Sequence, residues 1–185
     1  MKNIFKGIII IVTLLNRQTG FSQQTVSSPK FRAEFLSLIN KTRQKGCNCG
    51  LEYFPPAPPL VWNTLLESAA IGHAVDMAKQ NYFNHTSLDG RTMENRIGAT
   101  GYTINGFRSI NVGENIAFGQ TSIAEVMKGW FNSPGHCHNL MNPNFKEIGI
   151  AEDNNYWVQD FGGRQPFTAE EQKIIKSGHY KMIRN

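Results

Sequence analysis

The amino-acid sequence predicts an α+β domain in which an antiparallel sheet carries helices on both faces. Three observations support this fold class. Two helix patterns precede the first long strand, a strand and a further helix occupy the middle of the chain, and two strand-like runs close it as a hairpin. The 185 residues, 40% of them hydrophobic, suffice for one domain with a sizeable core. The sequence contains no internal repeat that would indicate a second domain.

Residues 1–22 have the pattern of a signal peptide. Two lysines precede an apolar run from Ile8 to Leu15, and Gly20 and Ser22 suit a cleavage site. The run is shorter than the roughly 20 residues that span a bilayer, so we expect cleavage and secretion (extracellular or periplasmic) without a membrane span; an uncleaved anchor is the alternative. Removal of this segment takes away three basic residues and no acid, which lowers the formal charge from +5 to +2. This weak charge disfavours nucleic acid as a partner.

The first helix follows a short polar leader, residues 23–30. Ser28 and Pro29 are typical of a helix start, the apolar residues that follow recur at helical spacing, and Gly46 ends the pattern. Residues 47–59 are rich in proline. We expect that segment to be a loop ordered by a disulfide rather than by secondary structure.

A second helix is predicted from its cap, Asn63, to about Gln80. His73 lies on the packed face of this helix among small apolar residues, without a second ligand one turn away. We therefore interpret it as a core histidine bonded to a backbone carbonyl rather than as a metal ligand. A short helix is expected over residues 91–97. Residues 98–112, rich in Gly, Thr and Asn, indicate a loop with at most a short strand.

The stretch from residue 113 to 139 combines a strand, a helix and the start of another helix. The strand covers residues 113–117, and Ser122 with Glu125 predicts a capping box at the start of the first helix. Ser133 and Pro134 then begin the second helix. This places His136 in a first turn, where side chains and backbone N–H groups can face a common cavity.

The last part of the chain predicts a hairpin and a helix. Residues 147–151 and 156–161 are strand-like and are joined by a polar turn. Thr168 and Glu171 then open a helix that runs to Lys176, within a helical tail over residues 164–185.

Three cysteines in a secreted chain indicate one disulfide and one remaining thiol. Cys47 and Cys49 are too close in sequence to pair comfortably with each other, so Cys137 is expected to pair with one of them. A Cys137 nucleophile activated by a neighbouring histidine is the less favoured alternative, because a secreted thiol with available partners is usually oxidised.

Several ordered motifs resemble the signatures of the CAP superfamily, which includes cysteine-rich secretory, antigen-five and pathogenesis-related proteins. The resemblance is strongest to compact secreted bacterial members with an SCP-like domain, and it covers residues 31–163. It implies a three-layer α-β-α sandwich with a central antiparallel sheet and a polar cleft over that sheet. The motifs are PPAPPLVWN at 55–63, DMA at 76–78, FNH at 83–85 with DG at 89–90, GENIAFG at 113–119, Trp130, SPGH at 133–136 and YWVQ at 156–159.

The cleft of this family usually presents two histidines and two acids. By motif, the histidines correspond to His85 and His136, and the first acid corresponds to Glu114. The second acid follows the helix tryptophan by three residues in eukaryotic relatives, and that position holds Ser133 here. Glu125 is the nearby substitute, although its spacing favours a capping role. We likewise interpret Ser133 as a helix cap rather than as a nucleophile paired with His136.

The resemblance also implies the disulfide pairing. Related bacterial proteins have the cysteine directly before a glycine, which matches Cys49 and Gly50. The implied bond is therefore Cys49–Cys137. Cys47 is then left free or paired with another molecule.

Three functions fit these residues. The first is a non-catalytic binding module for a lipid, a peptide or a cell-wall fragment, which the incomplete acid set favours. The second is a metal-dependent, peptidase-like hydrolase that uses His85, Glu114 and His136, because two imidazoles and a carboxylate can hold Zn²⁺ with an open position. The third is a disulfide-bonded structural or envelope protein. We expect any divalent cation such as Zn²⁺ to bind weakly, since the site is one anionic ligand short.

Overall fold

A computed structural model describes residues 27–178. The predicted signal peptide, the first half of the leader (residues 23–26) and the end of the C-terminal tail lie outside the described residues. The helices are α1 (Pro29–Lys45), α2 (Thr64–Gln80), α3 (Met93–Ala99), α4 (Ile123–Asn132), α5 (Pro134–Met141) and α6 (Ala169–Lys176), and the strands are β1 (Cys47–Cys49), β2 (Glu52–Phe54), β3 (Val61–Trp62), β4 (Ser109–Phe118), β5 (Glu147–Asp153) and β6 (Tyr156–Gln165).

The central sheet has four strands in the order β3-β5-β6-β4. Strands β4, β6 and β5 pair antiparallel, as predicted, whereas the two-residue strand β3 adds to β5 in parallel. The predicted hairpin of β5 and β6 is confirmed. Its turn contains Asn154 at φ 49° and Asn155 at φ 64°, the left-handed pair of conformations that a tight two-residue hairpin requires.

The sheet lies between two layers of helices, which confirms the α-β-α sandwich. On one face, Phe35 of α1 and Trp130 of α4 pack with Phe161 of β6 in the largest apolar cluster. On the other face, small residues of α2 such as Ala74 pack against Val158 of β6. Successive residues of a strand point to opposite faces, so each strand supplies both clusters.

Helix α2 lies unusually close to the sheet at Gly149 of β5. A Cβ atom at this position would collide with the backbone of Glu67 at the start of α2. Only glycine permits this approach. Gly149 pairs with Asp160 of β6, so α2 covers the sheet closely beside Asp160.

The predicted caps of α1 and α2 are confirmed. Ser28 accepts a hydrogen bond from the N–H of Phe31, and Asn63 accepts from the first turn of α2. The short third helix begins two residues later than predicted, because Thr92 forms a capping box with Asn95. The last predicted helix is present as α6, with its capping box of Thr168 and Glu171.

Two predicted loops contain strands. Within residues 47–59, β1 and β2 form an antiparallel hairpin in which Cys47 pairs with Phe54 and Cys49 with Glu52. The disulfide is therefore not the only source of order in this segment. Within residues 98–112, β4 already begins at Ser109 and pairs with β6 along all ten of its residues. Pairing with a central strand overrides the weak strand propensity of its polar N-terminal half.

Candidate functional site

The candidate site comprises His85, Glu114 and His136, here called the His–Glu site. Glu114 lies on β4, on the face of the sheet that is covered by α2, and His85 lies in the connection between α2 and α3. Nδ1 of His85 donates a hydrogen bond to Oε1 of Glu114 at 2.7 Å. The side chain of Glu114 is 1% exposed, whereas that of His85 is 55% exposed. A buried carboxylate thus holds an exposed imidazole by one ring nitrogen.

Arg96 of α3 is a member of the site that sequence reasoning missed. Its Nη2 lies 2.6 Å from Oε2 of Glu114, and both side chains are buried. Its Nη1 donates to the backbone oxygens of His85 at 2.9 Å and Arg91 at 3.1 Å. One guanidinium therefore fixes both the carboxylate and the loop that carries the histidine.

The environment keeps Glu114 ionised. Burial by itself raises the pKa of this carboxyl, but the hydrogen bond from His85 and the positive charge of Arg96 outweigh burial and hold the pKa below its ordinary value. Each carboxylate oxygen has a charged or polar donor. Glu114 is consequently a satisfied anion within the site.

Asp160 lies beside Glu114 and was also missed. The two residues pair directly across β4 and β6, and their side chains share one face of the sheet. Asp160 is completely buried, and neither of its carboxyl oxygens has a hydrogen-bond partner among residues 27–178. Burial and the charge of Glu114 raise its pKa well above the ordinary value. Asp160 is therefore the protonated neighbour of an ionised Glu114.

His136 occupies the predicted first turn of α5. Asn115 of β4 donates from Nδ2 to the backbone oxygen of His136 at 3.1 Å, and Asn139 of α5 donates to the backbone oxygen of Glu114 at 3.1 Å. These two amides hold α5 against the edge strand that carries Glu114. Burial and the charge of His85 lower the pKa of His136.

The potential ligand atoms of His85, Glu114 and His136 do not all lie within 4.8 Å of one another, so these residues do not form a closed metal site. Among the residues that the structure describes, the trio whose potential ligand atoms all lie within 4.8 Å of one another is Cys47, Cys49 and Cys137. In that trio Cys49 and Cys137 are joined as a disulfide, the pair that the resemblance implies, and Cys47 is a free thiol.

Two other polar residues were interpreted as structural, and the structure agrees for both. His73 is fully buried, and its Nε2 lies 2.9 Å from the backbone oxygen of Asn84, as predicted for a core histidine. Ser122 caps α4 by accepting from the N–H of Glu125 at 3.3 Å. The carboxylate of Glu125 turns back towards the start of the helix and accepts from the N–H of Thr121 at 2.8 Å.

The predicted position of Ser133 at the start of α5 is confirmed, but the predicted capping hydrogen bond of its side chain is not. Ser133 occupies the N-cap position, but its side chain makes no capping hydrogen bond. The residue also ends α4, where its backbone N–H donates to the oxygen of Gly129. A single residue that joins two helices has its backbone conformation set by both of them. Here this conformation does not direct the hydroxyl to the α5 N–H groups.

Exposed aromatic rings adjoin the site. Phe83, two residues before His85, and Phe118, at the end of β4, are each about half exposed, and their ring centroids lie 6.3 Å apart. Phe118 also lies 4.2 Å from the ring of Tyr156. Phe118 and Glu114 are four residues apart on β4, so their side chains lie on the same face of the strand. Exposed aromatic rings therefore lie at the end of the strand that carries Glu114.

The fold and the motifs agree with one family. Residues 36–161 match the model of the CAP family, described as the cysteine-rich secretory protein family. The chain belongs to this family. It is 34% identical over 146 residues to the YkwD protein of Bacillus subtilis, covering 76% of this chain and 51% of YkwD. The chain spans about half or less of the length of the curated relatives it matches.

Two solved structures of bacterial proteins are similar. An extracellular protein of Bacillus anthracis that contains an SCP domain is 28% identical with a TM-score of 0.57, over 73% of this chain and 43% of that protein. An outer surface protein of Borrelia burgdorferi is 25% identical with a TM-score of 0.55, over 74% of this chain and 91% of that protein. Within residues 27–178 no helix is both long enough and apolar enough to cross a membrane.

Proposed function

We propose that the chain is a secreted binding module that uses the His–Glu site to hold a lipid, a peptide or a cell-wall fragment. The observation that carries the proposal is the double engagement of Glu114, whose oxygens accept from His85 and from Arg96. A carboxylate held in this way positions a neighbour instead of acting as a free base. Nε2 of His85, which has no hydrogen-bond partner among residues 27–178, is then available to a ligand.

The aromatic rings beside the site support a ligand with an apolar part. Phe83 and Phe118 expose about half of their surface, and aromatic rings at a recognition site supply most of the contact area at low conformational cost. The two imidazoles can bind a polar or anionic head of the same ligand. A molecule with a polar head and an apolar body therefore fits this surface best.

Secretion is part of the same proposal. The predicted signal peptide supports it, and so does the disulfide, because such bonds persist in oxidising compartments. The structural relatives described as an extracellular and an outer surface protein also fit a location outside the cytoplasm.

Because the ligand atoms of the site do not converge, we expect a divalent cation such as Zn²⁺ to be no more than a weakly held component. His85 donates its Nδ1 proton to a carboxylate, which is the arrangement that usually orients a metal-binding histidine through its other nitrogen. His85 and His136 would hold the ion, and Glu114 would orient His85 from behind. A bound cation would supply positive charge for an anionic ligand group.

The metal-dependent hydrolase is the competing function. A hydrolase of this kind needs a base that can take a proton from water, and Glu114 would have to lose its contact with His85 or Arg96 to serve. Both contacts are short and Glu114 is buried. The geometry therefore favours binding over catalysis.

The two functions are separated by parallel binding and turnover measurements. The mature chain, residues 23–185, is titrated in a calorimeter with phospholipid vesicles, a short peptide and a soluble cell-wall fragment, and is then assayed with peptide and ester substrates with and without a chelator. We expect one probe to bind and no substrate to turn over. His136→Ala should weaken binding at least about tenfold, the loss expected for one good polar contact.

The matched control is His138→Ala. His138 is exposed on the other side of α5, where its Nε2 lies 3.4 Å from Glu52. This variant should bind like the parent chain. Turnover that His136→Ala abolishes would establish the hydrolase instead, and binding that survives both His85→Ala and His136→Ala would place the ligand elsewhere.

A further inference from the structure

Three sulfur atoms lie together where α5 packs against the β1–β2 hairpin. Cys49 and Cys137 form the disulfide. Sγ of Cys47 lies 3.8 Å from Sγ of Cys137, and all three Sγ atoms lie within 4.8 Å of one another. The free thiol is thus almost in contact with one sulfur of an existing disulfide.

The fold explains this arrangement. Cys47 and Cys49 are two residues apart on β1, so their side chains point to the same face of the strand. The pairing of β1 with β2 fixes that face, and the first turns of α5 bring Cys137 to it. Either cysteine of β1 can therefore reach Cys137, although the two cannot comfortably bond to each other.

The sulfurs differ in exposure. Cys49 is 2% exposed and Cys137 is 0% exposed, so an external thiol has poor access to the disulfide. Cys47 is half-buried, and burial raises the pKa of its thiol. The charged groups on the elements packed around the three sulfurs are Glu52 of β2, which lies opposite Cys49, and His138 of α5, which pairs with Glu52 at 3.4 Å. Cys47 is accordingly the accessible but slow nucleophile of the group.

We propose that Cys47, Cys49 and Cys137 form an internal thiol–disulfide exchange site. The thiolate of Cys47 attacks Sγ of Cys137, and a Cys47–Cys137 bond forms as the Cys49–Cys137 bond breaks. Cys49 leaves as a thiolate and takes up the proton that Cys47 gave to solvent. The electrons balance within the three sulfurs, so the step needs no oxidant or reductant.

The exchange gives the chain two disulfide isomers. In one the hairpin is tied to α5 through Cys49, and in the other through Cys47, two residues earlier on the strand. Cys137 directly follows His136. The two isomers therefore attach the first turn of α5 to different residues of β1. Because His136 lies in that turn, the exchange changes how one histidine of the His–Glu site is held. The exchange itself does not depend on the proposed binding function.

The experiment follows the isomers in the folded mature chain without added thiol. Samples held at about pH 7 and about pH 9, on either side of the ordinary thiol pKa, are quenched in acid, denatured, labelled with a maleimide and digested without reduction. We expect mass spectrometry to find the label on Cys47 at the start. The label should then move to Cys49 as the Cys47–Cys137 peptide appears. While pH stays below the thiol pKa, the rate of this exchange should rise about tenfold for each unit by which pH is raised.

Two variants make the test decisive. Cys47→Ser removes the nucleophile, so Cys49 should stay unlabelled at all times. Cys49→Ser should form the Cys47–Cys137 bond on air oxidation, because the sulfurs already lie 3.8 Å apart. Label that remains on Cys47 at about pH 9, or a rate that rises with protein concentration and so reports exchange between molecules, would overturn the proposal. A Cys49→Ser chain that stays reduced would do the same.

Discussion

Arg96 and Glu114 form a buried ion pair in which Nη2 lies 2.6 Å from Oε2, with side-chain exposures of 4% and 1%. The same guanidinium bonds the backbone oxygen of His85, while the other oxygen of Glu114 accepts from Nδ1 of that histidine. Arg96 therefore holds the backbone of His85, and Glu114 holds its ring. The histidine is exposed, yet its position is set by residues that solvent does not reach.

Arg96→Met should destabilise the fold strongly. Removal of one partner of a buried pair leaves an uncompensated charge and typically costs about 3–5 kcal/mol. Urea unfolding followed by tryptophan fluorescence measures the loss. The control is Arg91→Met, because Arg91 pairs with Asp89 at the surface, with side-chain exposures of 52% and 55%, and should cost much less. Equal losses in the two variants would mean that the buried pair has no special weight.

Asp160→Asn should stabilise the protein at neutral pH. The folded-state pKa of Asp160 is raised by burial and by Glu114, so the folded chain keeps a proton that the unfolded chain releases above an ordinary pKa of about 3.9. Stability is therefore lost as pH rises from that value towards the folded pKa. Asparagine cannot ionise, so the variant does not lose stability in this way as pH rises.

The measurement compares unfolding free energies at about pH 4 and about pH 7. The advantage of Asp160→Asn should be near zero at the lower pH and clear at the higher one. Glu170→Gln makes the same carboxyl-to-amide change at an exposed position of α6 and serves as the control. An advantage of the variant that does not grow between the two pH values would contradict a raised folded-state pKa of Asp160.

The sequence predicted the parts of this molecule that depend on local signals. Ser28 and Asn63 cap helices because their side chains bond the next turn, and Asn154 with Asn155 makes a tight turn on its own. Motif resemblance located His85 and Glu114, which the structure places 2.7 Å apart. Each of these predictions rests on neighbours in sequence or on an ordered motif.

Arg96 and Asp160 could not be found in this way, because their roles come from contacts across the fold. Arg96 meets Glu114 from a different element, and no spacing rule connects α3 with β4. Asp160 left one usable signal. Asp160 lies two residues after the core residue Val158, on the same face of β6. An acid at a core position of a strand indicates an unusual pKa. Its partner became evident only from the strand register.

The disulfide should contribute substantially to stability. A non-reduced digest should contain a peptide that joins Cys49 to Cys137, and Cys137→Ser should lose about 2–5 kcal/mol, as is typical when a native disulfide is removed. Cys47→Ser keeps the bond and should lose far less. Thermal unfolding of the two variants gives the comparison. A digest that shows only Cys47 joined to Cys137 would contradict the assignment of the resting isomer.

The last prediction concerns the cation, which we expect to bind weakly through His85 and His136. The charge of Glu114 is offset by Arg96 at 2.6 Å, so the ion meets two neutral imidazoles and little net negative charge. A site of this kind has little Coulomb energy to offset dehydration of the ion. Calorimetric titration of the mature chain with Zn²⁺ should therefore show weak binding. His85→Ala and His136→Ala should each abolish it, whereas His138→Ala should not.

The affinity should also fall on acidification, because each imidazole must be neutral to donate a lone pair and an ordinary histidine has a pKa of about 6.5. His136 keeps its lone pair to lower pH than an ordinary histidine, since burial and the charge of His85 lower its pKa. Titrations at about pH 7.5 and about pH 5.5, on either side of that ordinary value, should differ by at least about tenfold in affinity. Isotherms that neither histidine substitution changes would show that the two rings do not form a site, and that their role is confined to hydrogen bonding beside Glu114.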